Sequence, residues 1–234
     1  MSDVIAVRAT SDGFPRDAGG GFARRSRILA KGEFLYRPGD ALRAIYLVLD
    51  GAFKTASTGF DGVERIVGFH LPGEIIGLDG WSELRQRCMA IALADACVCQ
   101  LSIDQFMWTV LGQKGMREWT RRIIGNCTRN EIEHLEMLGR RQPAARIALF
   151  LHELMLRSQH RVEAGACITL PMTREDIACF LSLAPETVSR GFKRLQTMGV
   201  ISVDHRRIEI RDATKLQSFA RSWHQPSMRR RRVA

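Results

Sequence analysis

Between Lys31 and Ser102 the apolar residues come in short runs broken by glycine, proline and aspartate. "GEFLYRPGD" (32–40), "AIYLVLDGAFKTAS" (44–57) and "VERIVGFHLPGEIIG" (63–77) set β-branched and aromatic residues between such turn formers. These runs predict consecutive short strands of a small antiparallel barrel or jelly roll, with "MAIALADACVCQLS" (89–102) adding one strand or two. From Ile103 the period lengthens, and no proline occurs before Arg141. Ile124, Cys127, Glu131, Leu135 and Leu138 recur at spacings of three and four between charged flanks. So narrow a stripe predicts a coiled-coil seam, hence a parallel homodimer, with packing on the barrel as the alternative.

"GRRQP" at 139–143 breaks this helix and reads as a hinge. A second amphipathic helix, "AARIALFLHELMLRS", and a short strand, "GACITLPM", follow. "TREDIACFLSL" is a helix with Thr173 as N-cap and Asp176 three residues on, close to a capping box. "PETVSRGFKRLQTMGV" is another, starting at a proline and ending at a glycine, and "VISVDHRRIEIRD" alternates around a turn near His205. Helix, turn, helix and hairpin predict a winged helix-turn-helix. The expected class is α+β, in five parts: a flexible arm (1–30), a β-roll (31–103), a dimerisation helix with its hinge (104–141), the winged helix-turn-helix (142–226) and a basic disordered tail (227–234).

Charge sharpens this division. Residues 1–139 hold 17 Lys/Arg and 17 Asp/Glu, whereas residues 140–234 hold 18 against 8, so the whole net charge of +10 lies in the second part. A neutral half joined to a basic half points to a sensing or assembly module on a polyanion-binding one. The first thirty residues lack the apolar core of an export signal, and no apolar run approaches the ~18 residues of a membrane helix. A cytoplasmic protein without membrane association is expected, its six cysteines reduced.

On a helix, Glu186, Ser189, Arg190 and Lys193 share one face, opposite an anchoring stripe of Val188, Phe192, Leu195 and Met198 that packs on Ile177 and Leu181. In a major groove an arginine reaches guanine O6 and N7, a glutamate accepts from cytosine N4, and a serine contacts either strand. An ion pair between Glu186 and Arg190, one turn apart, would hold both ready for a G·C pair and its neighbour. Thr187 lies beside them, and Lys193, Arg194, Thr173 and Arg174 would meet phosphates of double-stranded DNA. A merely solvated face is the alternative; a capped partner helix, a wing and a basic domain favour DNA reading.

"MTREDIACFLSLAPETVSRGFKRLQTMGVI" resembles the DNA-binding domain of the CRP/FNR superfamily, and Glu186-x-x-Ser189-Arg190 is the form of its FNR and FixK branches. "GDALRAIYLVLDGAFK" and "GFHLPGEIIGLD" resemble its β-roll, of the cyclic-nucleotide-binding type, and the likeness runs from Lys31 to Asp212. It implies a homodimer that binds palindromes with TTGAT-like half-sites and contacts RNA polymerase to activate transcription, in oxygen-, redox- or nitrogen-oxide-related control. Two positions depart from the family pattern. Ser182 stands where the inter-helix turn has glycine, and Ala184 replaces a hydroxyl cap, at a cost of roughly 1 kcal/mol that Pro185 partly offsets.

The resemblance also frames the effector. An FNR-type iron–sulfur cluster needs three leading cysteines, and residues 1–87 contain none; Cys99 alone matches. Cys97 and Cys99 share a strand face and read as buried structural thiols. Cyclic-AMP binders use a Glu where this chain has Leu78 or Asp79, and an Arg-Ser pair where it has Arg87-Cys88, so cyclic AMP is not expected. Haem stays open, with His70 among the candidate ligands, though no spacing argues for it. A FixK-like regulator without resident cofactor remains, with Cys179 as a possible redox thiol in the first helix and Cys127 as a second in the seam; inert packing is the alternative for both. The tail "MRRRRVA" would add non-specific phosphate attraction. Among rivals of another class, an enzyme finds no phosphate-cradling loop or convergent acid/base pair, since His152 and Glu153, like His134 and Glu133, should diverge on a helix. A ligand-binding module that no longer reads DNA must explain the intact Glu186, Ser189 and Arg190.

Overall fold

The computed structural model describes residues 25–104, 106–107, 114–140, 142–158 and 162–221. The chain divides into two compact units between Asn130 and Glu131. In the first, β1 (Arg25–Leu29), β8 (Ala96–Ser102), β3 (Ala44–Asp50) and β6 (Ile75–Ile76) form one antiparallel sheet in that order. β2 (Phe34–Tyr36), β7 (Met89–Ala92), β4 (Phe53–Thr58) and β5 (Glu64–His70) form a second. Leu29, Val48, Ile76 and Val98 of the first sheet join Leu35, Phe53, Ala90 and Ala92 of the second in one buried cluster. Ile45, Leu47, Ile75, Cys99 and Leu101 instead meet Phe106 and the first turns of α1 (Lys114–Gly139), through Met116 and Trp119. A sheet buried on both faces loses its apolar–polar alternation, which is why 89–102 read as one strand or two. It is two, β7 and β8.

The expected arm is shorter than 1–30, because β1 pairs with β8 from Arg25↔Gln100 to Leu29↔Ala96. Residues 1–24 and the basic tail lie outside the described residues. The alternative reading of the long helix, packing on the barrel, holds for one face, and another face of the same helix is exposed. Met116, Trp119 and Ile123 lie against the roll, while Ile124, Ile132 and Leu135 are 54%, 53% and 68% exposed.

The second unit contains the last turns of α1, then α2 (Pro143–Arg157), β9 (Cys167–Thr169), α3 (Arg174–Leu181), α4 (Pro185–Thr197), β10 (Ile201–Asp204), β11 (Arg207–Ile210) and α5 (Ala213–Arg221). Pro143 opens α2, where the missing N–H costs nothing. β9 extends the β10–β11 hairpin to a three-stranded sheet. α5 was not anticipated: Asp212 Oδ1 caps it by accepting the Lys215 N–H at 2.8 Å, and Leu216 and Ala220 are buried. Ile147, Leu151 and Leu154 of α2, Ile177 and Leu181 of α3, and Val188 and Leu195 of α4 form the core.

Candidate nucleic-acid interface

α4 is amphipathic in the expected sense. Val188, Phe192 and Leu195 are buried, each stabilising the unit by roughly 1.5–3 kcal/mol. Met198, expected in the same stripe, is instead 44% exposed, because it lies beyond the helix end as C-cap. Gly191 is also buried, and a Cβ there would meet Ile147 Cδ1, so a larger residue would require the Ile147 side chain to shift where α4 packs on α2. Ala184 provides no side-chain cap and Pro185 occupies the first turn.

The opposite face is open. Glu186, Ser189, Arg190, Lys193 and Arg194 are exposed and Thr187 is half-buried. The expected Glu186–Arg190 ion pair does not form; among the described residues neither side chain has a charged partner. An exposed i,i+4 pair is worth only about 0.3–0.5 kcal/mol, too little to fix two long side chains in water. Ser189 Oγ donates to Pro185 O at 3.0 Å, so its lone pairs are what it offers outward.

α3 begins with a full capping box: Thr173 Oγ1 accepts from Asp176 N–H at 3.1 Å, and Asp176 Oδ2 accepts from Thr173 N–H at 2.9 Å. Thr173 Oγ1 also donates to Asp176 Oδ2 at 3.0 Å, so the hydroxyl proton that a phosphate oxygen would need is already engaged. The Arg174 guanidinium lies on the Phe192 ring, 3.6 Å from its centroid, and burial there lowers its pKa from the usual arginine value. α3 and α4 thus share a cation–π contact as well as a core.

Sequence reasoning missed the basic wing tip. His205 turns the hairpin with φ 50, and Arg206 Nη1 donates to Pro171 O at 3.2 Å. An open cleft of about 270 Å³ lies between this tip and the start of α3, lined by Met172, Thr173, Arg174, His205 and Arg206 among others. The run "HRR" at an expected turn was the available signal.

Asp79 Oδ2 accepts from the Arg87 and Cys88 N–H groups at 3.0 and 2.9 Å, and Oδ1 accepts from Tyr36 O–H at 3.2 Å. Burial, with Asp79 beside it, pushes the Cys88 thiol up to about 12. Cys97 and Cys99 are buried, as expected of structural thiols, and burial raises the Cys97 pKa. Cys127 and Cys179 are half-buried. His70 Nε2 lies 3.0 Å from Thr55 Oγ1. His152 Nδ1 and Glu153 Oε1 lie 3.0 Å apart, against the expectation that neighbours diverge; their side chains turn toward each other along α2. Among the described residues no helix is long and apolar enough to cross a membrane.

Residues 145–219 match the family model of the Crp-like helix-turn-helix domain, and residues 26–111 that of the cyclic nucleotide-binding domain. The transcriptional activator protein Anr of Pseudomonas protegens is 34% identical over 197 residues, spanning 84% of this chain and 81% of that protein. The transcriptional activator protein FnrA of Stutzerimonas stutzeri is 33% identical over 204 residues, spanning 87% of this chain and 84% of that protein. The solved structure of FixK2 from Bradyrhizobium japonicum matches with a TM-score of 0.75 at 27% identity, covering 85% of this chain and 98% of FixK2.

Proposed function

The chain belongs to the CRP/FNR family of transcription regulators, and we propose that it binds palindromes with TTGAT-like half-sites as a homodimer, without a resident ligand. One observation carries the reading: α4 exposes Glu186, Ser189 and Arg190 on one face and buries Val188, Phe192 and Leu195 on the other. A major groove admits a helix of this kind. Arg190 donates to guanine, Glu186 accepts from cytosine N4 and Ser189 accepts from a base amino group, with Thr187 alongside. Lys193 and Arg194 meet phosphates, and Thr173 and Arg174 bring the start of α3 to the backbone. The exposed Ile124, Ile132 and Leu135 of α1 support the seam with a second copy. Activators among the relatives support recruitment of RNA polymerase.

An iron–sulfur cluster of the type held by three leading cysteines does not fit these residues. Cys88 is the first cysteine of the sequence, and among the described residues no three His, Cys, Asp or Glu side chains gather as a metal site. A cyclic nucleotide is disfavoured by Asp79, whose carboxylate already holds the two N–H groups at Arg87 and Cys88 and would repel a phosphate. Haem through His70 is disfavoured by the Thr55 contact. Redox control falls to Cys179, where oxidation would add bulk and charge in the helix that supports α4, with Cys127 second.

Fluorescence anisotropy of the reduced, ligand-free protein tests the reading. A TTGAT-N4-ATCAA duplex should bind at least about tenfold tighter than one with the G·C pair of each half-site swapped. Peroxide should abolish binding in the wild type and spare Cys179→Ser. Equal binding to both duplexes would overturn the DNA-reading assignment, and binding that appears only with an added ligand would overturn the ligand-free one.

A further inference from the structure

The last turn of any α-helix leaves carbonyls that the helix cannot satisfy. At the end of α3 two of them take backbone donors, Ser182 N–H to Cys179 O at 3.2 Å and Leu183 N–H to Ala178 O at 2.9 Å. The next three take side chains from outside the helix-turn-helix. His134 Nε2, on α1, lies 2.7 Å from Phe180 O. Arg146 Nη1, on α2, donates to Leu181 O at 2.9 Å and lies 3.4 Å from Ser182 O. A carbonyl only accepts, so Nε2 of His134 carries a proton.

These contacts also reach back to α1. The His134 ring lies flat on the Phe180 ring, with centroids 3.8 Å apart and planes inclined by 8°, and Phe150 of α2 flanks Phe180 at 5.9 Å. Arg146 Nε donates to Arg140 O, just past the end of α1, at 2.7 Å. Burial lowers the His134 pKa below the usual histidine value, which keeps the ring neutral near pH 7. The helical break before Pro143 is therefore bridged, because the last turns of α1 fold with the second unit. A joint that looks like a hinge in the sequence is clamped by one imidazole and one guanidinium.

We propose that His134 is a positioning residue for DNA recognition: by fastening the end of α1 to the end of α3, it fixes each reading helix relative to the dimer seam. The proposal rests on the homodimer reading above. Two heads joined along α1 present their α4 helices at one separation only if each head is rigid on its own α1. A loosened head still reads its half-site but loses the advantage of simultaneous engagement at a set spacing.

The experiment is anisotropy on three palindromes, with N3, N4 and N5 spacers, and on a duplex with a single half-site. Wild type should prefer N4 over N3 and N5 by about tenfold or more. His134→Ala should bring that preference below about threefold and leave half-site affinity within about twofold, while His134→Gln, which keeps an N–H donor, restores part of it. A wild-type spacer preference in His134→Ala would overturn the proposal. So would an equal loss of affinity on all four duplexes, the mark of a residue that merely stabilises the fold. If wild type itself binds palindrome and half-site alike, the dimer reading fails, and this proposal with it.

Discussion

Ser189 gives its hydroxyl proton to Pro185 O and faces outward as an acceptor, while Arg190 beside it is a donor that has no acceptor among the described residues. An acceptor and a donor at adjacent positions suit a base pair better than a phosphate, which takes donors alone. Thr173 illustrates the reverse. Its side chain is consumed by the capping box, which fixes the first turn of α3. Phosphate contacts fall more naturally to the wing, where Arg206 stands at the cleft beside that turn. Arg206→Ala should therefore weaken binding to matched and swapped duplexes alike, and lower the slope of log affinity against log salt by about 1. A loss confined to the matched duplex would show instead that the wing reads sequence.

At the scale of elements, the helix-turn-helix turn is the position under strain. Ser182 adopts φ 50, the left-handed region in which an L-residue with a side chain is disfavoured by roughly 1–2 kcal/mol. Ser182→Gly should raise the unfolding free energy by up to about 1 kcal/mol, since glycine's greater freedom in the unfolded chain returns part of the gain. Urea unfolding measures this, and a destabilised variant would show that the Ser182 side chain has a role of its own. This turn, the capping box at Thr173 and the buried stripe of α4 were legible in the sequence, because each depends on residues close together in the chain. The Glu186–Arg190 pair was inferred from spacing alone and failed, since spacing carries no information on burial. α5 escaped notice because its stabilisation comes from packing on α2, far away in sequence. The clamp at His134 was invisible for the same reason: Phe180 lies 46 residues further on.

For the whole molecule, α1 carries two faces with different tasks. One is spent on the β-roll through Met116 and Trp119, and the other leaves Ile124, Ile132 and Leu135 in water. An exposed apolar stripe on a helix marks an interaction site, and a second copy is the occupant proposed above. Leu135→Lys should convert a dimer to a monomer in sedimentation velocity and reduce palindrome affinity to that of a single half-site. An unchanged sedimentation coefficient would place the seam elsewhere. The segregation of charge fits the same plan, with the excess confined to the part that approaches DNA. The central claim, that the exposed face of α4 reads sequence, is tested most directly by a cycle of four anisotropy titrations: wild type and Arg190→Ala, each on the matched and the G·C-swapped duplex. Wild type should discriminate by about 1–3 kcal/mol or more, and Arg190→Ala should bind both duplexes with the same weakened affinity. Undiminished discrimination by Arg190→Ala would contradict it.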